Sequence, residues 1–106
     1  MKILLYGGKG WIGSQFVSIL QKNNINYKVS DVRVNKLDEV ENDIIKCNPT
    51  HIISFIGRTH GIIKGKKYTT IDYLEEPGKL KENIEDNLLG PIMLSNLCIK
   101  HNIHFT

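Results

Sequence analysis

The apolar run Ile3-Leu4-Leu5-Tyr6 passes directly into Gly7-Gly8-Lys9-Gly10-Trp11-Ile12-Gly13 and then into an amphipathic stretch. A strand, a glycine turn and a helix start in that order constrain this chain more than any other feature. The glycines read in two ways: Gly-x-Gly-x-x-Gly over Gly8, Gly10 and Gly13, and Gly-x-x-Gly-x-x-Gly over Gly7, Gly10 and Gly13. The first spacing is that of a turn cradling a dinucleotide pyrophosphate. One glycine permits the tight turn, one lets backbone N–H groups approach the phosphates, and one lets the helix pack close to its strand. The helix N-terminus then faces the anion with unpaired donors and a partial positive charge. A Walker-type phosphate loop is excluded, because no Gly-Lys-Ser/Thr closes the turn.

The context supports this reading. After the turn, Ile12, Phe16, Ile19 and Leu20 recur at helical steps with Ser14, Gln15, Gln21 and Lys22 between them, which predicts a helix with one face on a sheet. A second strand is expected over 26–31, after the turn-prone pair Asn23-Asn24, and a second helix over 38–47 with Val40, Ile44, Ile45 and Cys47 on one side. Asn48-Pro49 ends that helix, because proline disfavours the helical conformation of the residue before it. A third strand is read over 51–56, closed by Gly57, then a long loop over 58–78. Residues 79–101 read as helical, with Leu80, Ile84, Leu88, Leu89, Met93, Leu94, Leu97 and Cys98 as apolar rows and a kink or split at Gly90-Pro91. Residues 102–106 read as the start of another strand. The order βαβαβ–loop–α–β implies an α/β fold, a Rossmann-type parallel sheet with helices on both faces and right-handed crossovers. The reading is of one domain over 1–106, the N-terminal part of such a fold only, with an edge at 102–106 prone to self-association.

Composition sets bounds. With 106 residues the chain is one domain or part of one. Fourteen basic against eleven acidic residues give a net charge of +3, which favours anionic ligands without demanding nucleic acid. The apolar runs are too short to span a bilayer and no signal peptide is visible, so a cytoplasmic protein is expected. Cys47 and Cys98 have no metal-ligand spacing and read as buried reduced thiols. No metal site is expected. The four histidines share no spacing, and of them only His60 is placed to reach the site.

Around the expected ligand, Asp31 lies eighteen residues beyond Gly13, near the spacing at which an acid meets the adenosine ribose 2′-hydroxyl of NAD. Two residues on, Arg33 is suited to clamp the 2′-phosphate of NADP instead. Lys9 adds a positive charge within the turn. NADP is slightly favoured, and both readings stay open. Asp38 opens the second helix as a cap or first-turn acid. Gly57, Arg58 and Thr59 leave the third strand at the carboxyl edge of the sheet. The loop beyond carries Arg58, Lys64, Lys66 and Lys67, which read either as partners for a sugar-nucleotide diphosphate or as ordinary surface charges.

The chain resembles the extended short-chain dehydrogenase/reductases that act on nucleotide sugars, above all dTDP-4-dehydrorhamnose reductases and UDP-4-keto-6-deoxyglucose 3,5-epimerase/4-reductases. The likeness is carried by Leu5 to Gly13, by Pro49-Thr50-His51-Ile52-Ile53, by Gly57-Arg58-Thr59, by Ile71-Asp72-Tyr73-Leu74-Glu75 and by Asn87-Leu88-Leu89-Gly90. It implies hydride transfer between NADPH or NADH and C4 of a 4-keto-6-deoxy sugar nucleotide. It also implies that Gly7, Gly10 and Gly13 hold the pyrophosphate beside Trp11 and Ile12, that Leu37 and Asp38 lie by the adenine, that Phe55, Ile56, Gly57, Arg58 and Thr59 follow the ribose and nicotinamide, and that Asn87 braces the loop beneath. The family's catalytic Tyr-x-x-x-Lys has no counterpart, since Tyr6, Tyr27, Tyr68 and Tyr73 are followed four residues later by Gly10, Asp31, Asp72 and Pro77. Tyrosine acts there as general acid and lysine lowers its pKa, so no catalytic residue is assigned here. Three readings follow: the coenzyme-binding portion of a 4-keto-sugar-nucleotide reductase, alone or as part of a homo-oligomer or longer chain; a stand-alone non-catalytic NAD(P)-binding module; or a relative of NAD-retaining epimerases and dehydratases.

Overall fold

A computed structural model describes all residues 1–106. Four strands form one parallel sheet in the order β2-β1-β3-β6, where β1 is Ile3–Tyr6, β2 Tyr27–Val29, β3 His51–Ser54 and β6 His104–Phe105. Ile3 pairs with Tyr27 on one side and His51 on the other, so β1 is central and fully buried. A strand covered on both faces has no use for polar alternation, which is why Ile3-Leu4-Leu5-Tyr6 is continuously apolar.

The alternate side chains of β1 divide the core in two. Leu4 and Tyr6 face a cluster with Ile52 of β3, with Val40, Ile44 and Cys47 of α2 (Leu37–Cys47), and with Leu94, Leu97 and Cys98 of α5 (Gly90–Lys100). Ile3 and Leu5 face Leu20 of α1 (Trp11–Lys22), joined by Phe16, Val17, Ile53 and Phe55. Helices thus cover both faces of the sheet. Each fully buried Leu or Ile contributes roughly 1.5–3 kcal/mol to this packing. Both cysteines are free and buried, and burial pushes the Cys98 thiol up to about 11. No helix is long and apolar enough to cross a membrane.

Several elements differ from the sequence reading. Ile12, Ile19 and Ile45 are exposed; α1 instead seats Gly13, Phe16, Val17 and Leu20, so its buried stripe begins one residue later than expected. The second strand is three residues long rather than six, because Ser30 already turns the chain out of the sheet. Lys36 precedes the first residue of α2, and of the two places read for Asp38 the structure has the helix's first turn. Asn48 closes α2 with φ +48°, a left-handed conformation that asparagine tolerates.

The segment 58–78 holds a hairpin, β4 (Gly61–Ile63) with β5 (Lys66–Tyr68), and the short helix α3 (Asp72–Glu75). Its turn residues Lys64 and Gly65 both have positive φ, which suits a two-residue hairpin turn. Beyond it, α4 (Leu80–Ile84) runs through a π-helical turn at Glu85–Leu89 into α5 without a break. The Gly90 N–H donates to the Glu85 carbonyl, five residues back. This wider turn lets Pro91, which lacks an N–H and crowds carbonyls of the preceding turn, enter a continuous helix. Leu80, Ile84, Leu88 and Leu89 face solvent along this helix, whereas Leu94, Leu97 and Cys98 are buried.

Candidate functional site

The glycine turn leaves β1 where the strand order reverses, between β1 and β3, the place at which a parallel α/β sheet opens a crevice at its carboxyl end. Gly7 has φ +75°, and a Cβ there would lie 2.9 Å from the Phe55 carbonyl carbon. Gly13 makes the closest approach of all: its Cβ would sit 2.3 Å from the Gly7 oxygen and 2.8 Å from Gly8 Cα. Gly10 is different. Its N–H donates to the Gly7 carbonyl at 3.1 Å, its φ is −71°, and a Cβ would meet nothing closer than that same oxygen at 3.4 Å. The fold therefore requires glycine at 7 and 13 and leaves position 10 open. Gly10 also caps α1, which has no side-chain cap and no acid in its first turn, so the helix presents its positive end unshielded.

Next to the turn lies an open cleft of about 600 Å³. Gly7 and Gly10 form one wall; Val32, Arg33, Val34 and Asn35 form a second; residues 55–60 form the floor; Glu82, Glu85 and Asp86 close the far side. Of the residues expected from sequence, the cleft brings together Gly7, Gly10, Arg33, Phe55, Ile56, Gly57, Arg58 and Thr59. Gly8 and Gly13 lie behind the turn, and Lys9, Trp11 and Ile12 are exposed around it. Leu37 and Asp38 are exposed at the start of α2, outside the lining. Asp31 also lies outside the lining, ion-paired with Lys9, both side chains largely exposed. His60 does reach the cleft.

On the far wall the sequence reading named Asn87 as a brace for this loop and missed Glu82, Glu85 and Asp86. Asp86 and Asn87 sit in the π-helical turn, and both engage Arg58, some 28 residues earlier in the chain. Arg58 Nε donates to Asp86 Oδ2 at 2.5 Å, and Glu82 Oε2 lies 3.8 Å from a terminal guanidinium nitrogen. Asn87 Oδ1 accepts the Arg58 backbone N–H at 2.8 Å, and Asn87 Nδ2 donates to the Arg58 carbonyl at 3.0 Å. One amide thus clamps both backbone groups of Arg58. The hydrogen bond that the guanidinium donates to Asp86 raises its pKa further and holds it charged. Glu82 also accepts from Tyr73 Oη at 2.8 Å and from Lys79 Nζ at 3.1 Å, which together hold its carboxyl below the usual range. The spacing of Glu82, Glu85 and Asp86 on one helical face was the available signal, but nothing local tied it to Arg58.

The chemistry of this arrangement is that of anion and nucleoside binding: backbone donors at a helix N-terminus, a glycine wall without side chains, and one free cation, Arg33. No group of three or more His, Cys, Asp or Glu side chains is arranged to hold a metal ion.

No family model matches the chain. Over all 106 residues it is 46% identical to protein L780 of Acanthamoeba polyphaga mimivirus, of which it spans 35%. The crystal structure described as the L780 UDP-rhamnose synthase superposes with a TM-score of 0.91, at 47% identity, covering 99% of this chain and 35% of that one. Over 103 residues the chain is 29% identical to an Arabidopsis thaliana trifunctional UDP-glucose 4,6-dehydratase/UDP-4-keto-6-deoxy-D-glucose 3,5-epimerase/UDP-4-keto-L-rhamnose-reductase, covering 97% of this chain and 14% of the plant protein. Two more distant structures share the fold. Thermus thermophilus UDP-glucose 4-epimerase in complex with NAD has a TM-score of 0.74 at 21% identity, covering 97% of this chain and 35% of its own. Bacillus anthracis dTDP-4-dehydrorhamnose reductase in complex with NADP has a TM-score of 0.78 at 15% identity, covering 98% and 34%. The chain spans about a third or less of the length of these proteins.

Proposed function

We propose that this chain, whose homologues and structural neighbours are UDP-rhamnose synthase and dTDP-4-dehydrorhamnose reductase or epimerase-type enzymes and which matches their N-terminal portion, is the nicotinamide-dinucleotide-binding part of an oxidoreductase acting on a 4-keto-6-deoxy sugar nucleotide in rhamnose-type synthesis. The observation that carries this reading is the open Gly10 between two glycines that the fold itself demands. A position kept clear of protein contact, at an unshielded helix N-terminus, fits a pyrophosphate against the backbone. When bound, such a coenzyme supplies or accepts hydride at the sugar carbonyl.

The chain's own residues bind and orient. Gly7, Gly8 and Gly13 shape the turn, and the backbone N–H groups at Trp11 and Ile12 point with the helix end toward the phosphates. Lys9 adds charge beside the turn. Phe55, Ile56, Gly57 and Thr59 line the ribose and nicotinamide path, and Asn87 fixes Arg58 at its edge. Leu37 and Asp38, two and three residues beyond the cleft-lining Asn35, would meet the adenine only where it extends past the lining. No side chain here is assigned to proton delivery, because no tyrosine is followed by lysine four residues on. The sugar-nucleotide substrate is proposed for the enzyme of which this is the coenzyme-binding part.

Between the two coenzymes the reading favours NADP. Arg33 lines the cleft, whereas Asp31 lies outside it and is engaged by Lys9. An acid already occupied by a cation is a poorer partner for a ribose 2′-hydroxyl, and a guanidinium facing the cleft suits a 2′-phosphate. Equilibrium dialysis of the chain against NADPH and NADH, for wild type and Arg33→Ala, tests the reading. The expected result is saturable binding of both, tighter for NADPH, with the preference lost in the variant. Equal affinities in wild type would refute the NADP assignment, and no binding of either would refute the function.

A further inference from the structure

The carboxylate of Asp43 is buried at 8% exposure on the inner face of α2, against the core cluster that holds Leu4, Val40 and Ile44. Three donors from three different places converge on it. Lys28 Nζ of β2 donates to Oδ1 at 2.6 Å, Ser30 Oγ donates to Oδ2 at 2.5 Å, and Tyr6 Oη of β1 lies 3.4 Å from the same oxygen. Burial works against the charge, but Lys28 and the two hydroxyls outweigh it and hold Asp43 below the usual carboxylate range. A buried ion pair of this kind is weak evidence for stability, since apolar residues of similar volume often serve as well or better. Its value lies in what it fixes.

What it fixes is Ser30. This side chain is itself buried, donates to Asp43, and accepts the Val32 N–H at 3.1 Å. The Ser30 N–H still donates to the Leu5 carbonyl at 2.8 Å, as the last rung of the β1–β2 pairing. The chain leaves the sheet at that point, and the next residues, Val32, Arg33 and Val34, form a wall of the cleft. Val34 is buried, and its methyl lies 3.2 Å from where a Cβ on Gly90 would stand, so the wall is supported from α5 as well. A relay therefore runs from the Asp43 carboxylate through the Ser30 hydroxyl to the Val32 backbone and on to Arg33. Neither Asp43 nor Ser30 lines the cleft.

We infer that Asp43 is a positioning residue: acting through Ser30, it sets the path of residues 30–34 and so the placement of Arg33 against the adenosine end of a bound dinucleotide. The inference rests on the coenzyme-binding reading above. With a rigid anchor, the Val32–Val34 wall is preformed before the ligand arrives; without it, binding must order the wall. The role is distinct from holding the core together: Tyr6 shares the same carboxylate and lies beside Ser30, but only Ser30 passes the anchor on to the exit loop, by accepting the Val32 N–H.

The experiment compares wild type with Asp43→Asn, Ser30→Ala and Tyr6→Phe. NADPH binding is followed by energy transfer from Trp11, the sole tryptophan, which is exposed beside the glycine turn. Folding of each variant is followed by circular dichroism, and binding is measured where each is folded. The losses expected for Asp43→Asn and Ser30→Ala are about tenfold in NADPH affinity, the scale of one positioned hydrogen bond. They fall on competition by 2′,5′-ADP and leave competition by nicotinamide mononucleotide unchanged. Tyr6→Phe lowers the melting temperature and leaves NADPH affinity as it was. Should Asp43→Asn fail to fold, Ser30→Ala decides alone. Wild-type affinity in folded Ser30→Ala, or a loss in Tyr6→Phe matching its loss of stability, would overturn the positioning role while leaving the coenzyme site intact. Failure of folded wild type to bind NADPH would overturn both readings.

Discussion

On the glycine side the cleft is walled by backbone, with an unshielded helix end and no side chain beyond a hydrogen atom at Gly10; on the opposite side Arg58 is held by Asp86, Glu82 and Asn87 in a wall made of side chains with every partner supplied. The first wall carries unspent binding capacity and waits for an anion. The second is already neutralised and shapes the cleft without adding attraction. Under the proposed coenzyme-binding reading, the difference assigns phosphate affinity to the turn and leaves the Arg58 wall to supply geometry.

The same contrast explains what was legible in the sequence. Gly7, Gly10 and Gly13 are tied together by spacing within one turn, so their roles follow from short-range geometry alone. Arg58 meets Asp86 and Asn87 across 28 and 29 residues, and no periodicity announces such a meeting. The parallel sheet and its two helix-covered faces followed from strand-like apolar runs alternating with helix-like ones, whereas the strand order is seen only in the structure. The exposure of Ile12, Ile19 and Ile45 did not, because apolar residues lie all round these helices and the face that packs is chosen by the sheet. The hairpin within 58–78 was hidden for a related reason: Gly61-Ile62-Ile63 and Lys66-Lys67-Tyr68 are three-residue strands, too short to show alternation, and Lys64-Gly65 is a weak turn signal.

The largest effect that sharpens the comparison is at Gly13. A Cβ placed 2.3 Å from the Gly7 oxygen cannot be relieved by a side-chain shift, since both neighbours are backbone. Gly13→Ala is expected to destabilise the chain by about 3 kcal/mol or more, read from urea unfolding. A loss below about 1 kcal/mol would show that the turn is looser than described.

Next comes the side-chain wall. Asn87→Ala removes both hydrogen bonds to the Arg58 backbone and is expected to cost about 1–2 kcal/mol, measured the same way. Coenzyme affinity should fall only a few-fold, because this wall shapes the cleft more than it attracts. A loss of affinity as large as that from altering the turn would erase the distinction between the walls.

A pH series separates the buried carboxylate from the exposed ones. Asp43 ionises below its ordinary 3.8, so its contribution to stability is fully present above that value and is lost as pH falls through the folded-state value. The stability gap between wild type and Asp43→Asn should therefore be constant from neutral pH to about 5 and shrink below about 3.8. Urea midpoints across that range give the answer, and a gap independent of pH would mean that Asp43 is not held charged by its partners.

The smallest effect is at the exposed Lys9–Asp31 pair. Lys9→Ala is expected to leave the melting temperature unchanged, since exposed ion pairs contribute little. It should shift the NADPH-to-NADH preference toward NADH by freeing Asp31. An unaltered preference, measured by competition dialysis, would remove Lys9 from the account of specificity.

The central claim is that position 10 is kept clear for a ligand and not for the fold. Titration calorimetry of wild type and Gly10→Val with NADPH tests it most directly. The backbone at position 10, with φ −71° and ψ 173°, accepts valine, so the variant should fold with a stability within about 1 kcal/mol of wild type. One saturable site in wild type and no detectable heat from the folded variant are the expected results. Binding of NADPH by Gly10→Val with wild-type affinity would contradict it.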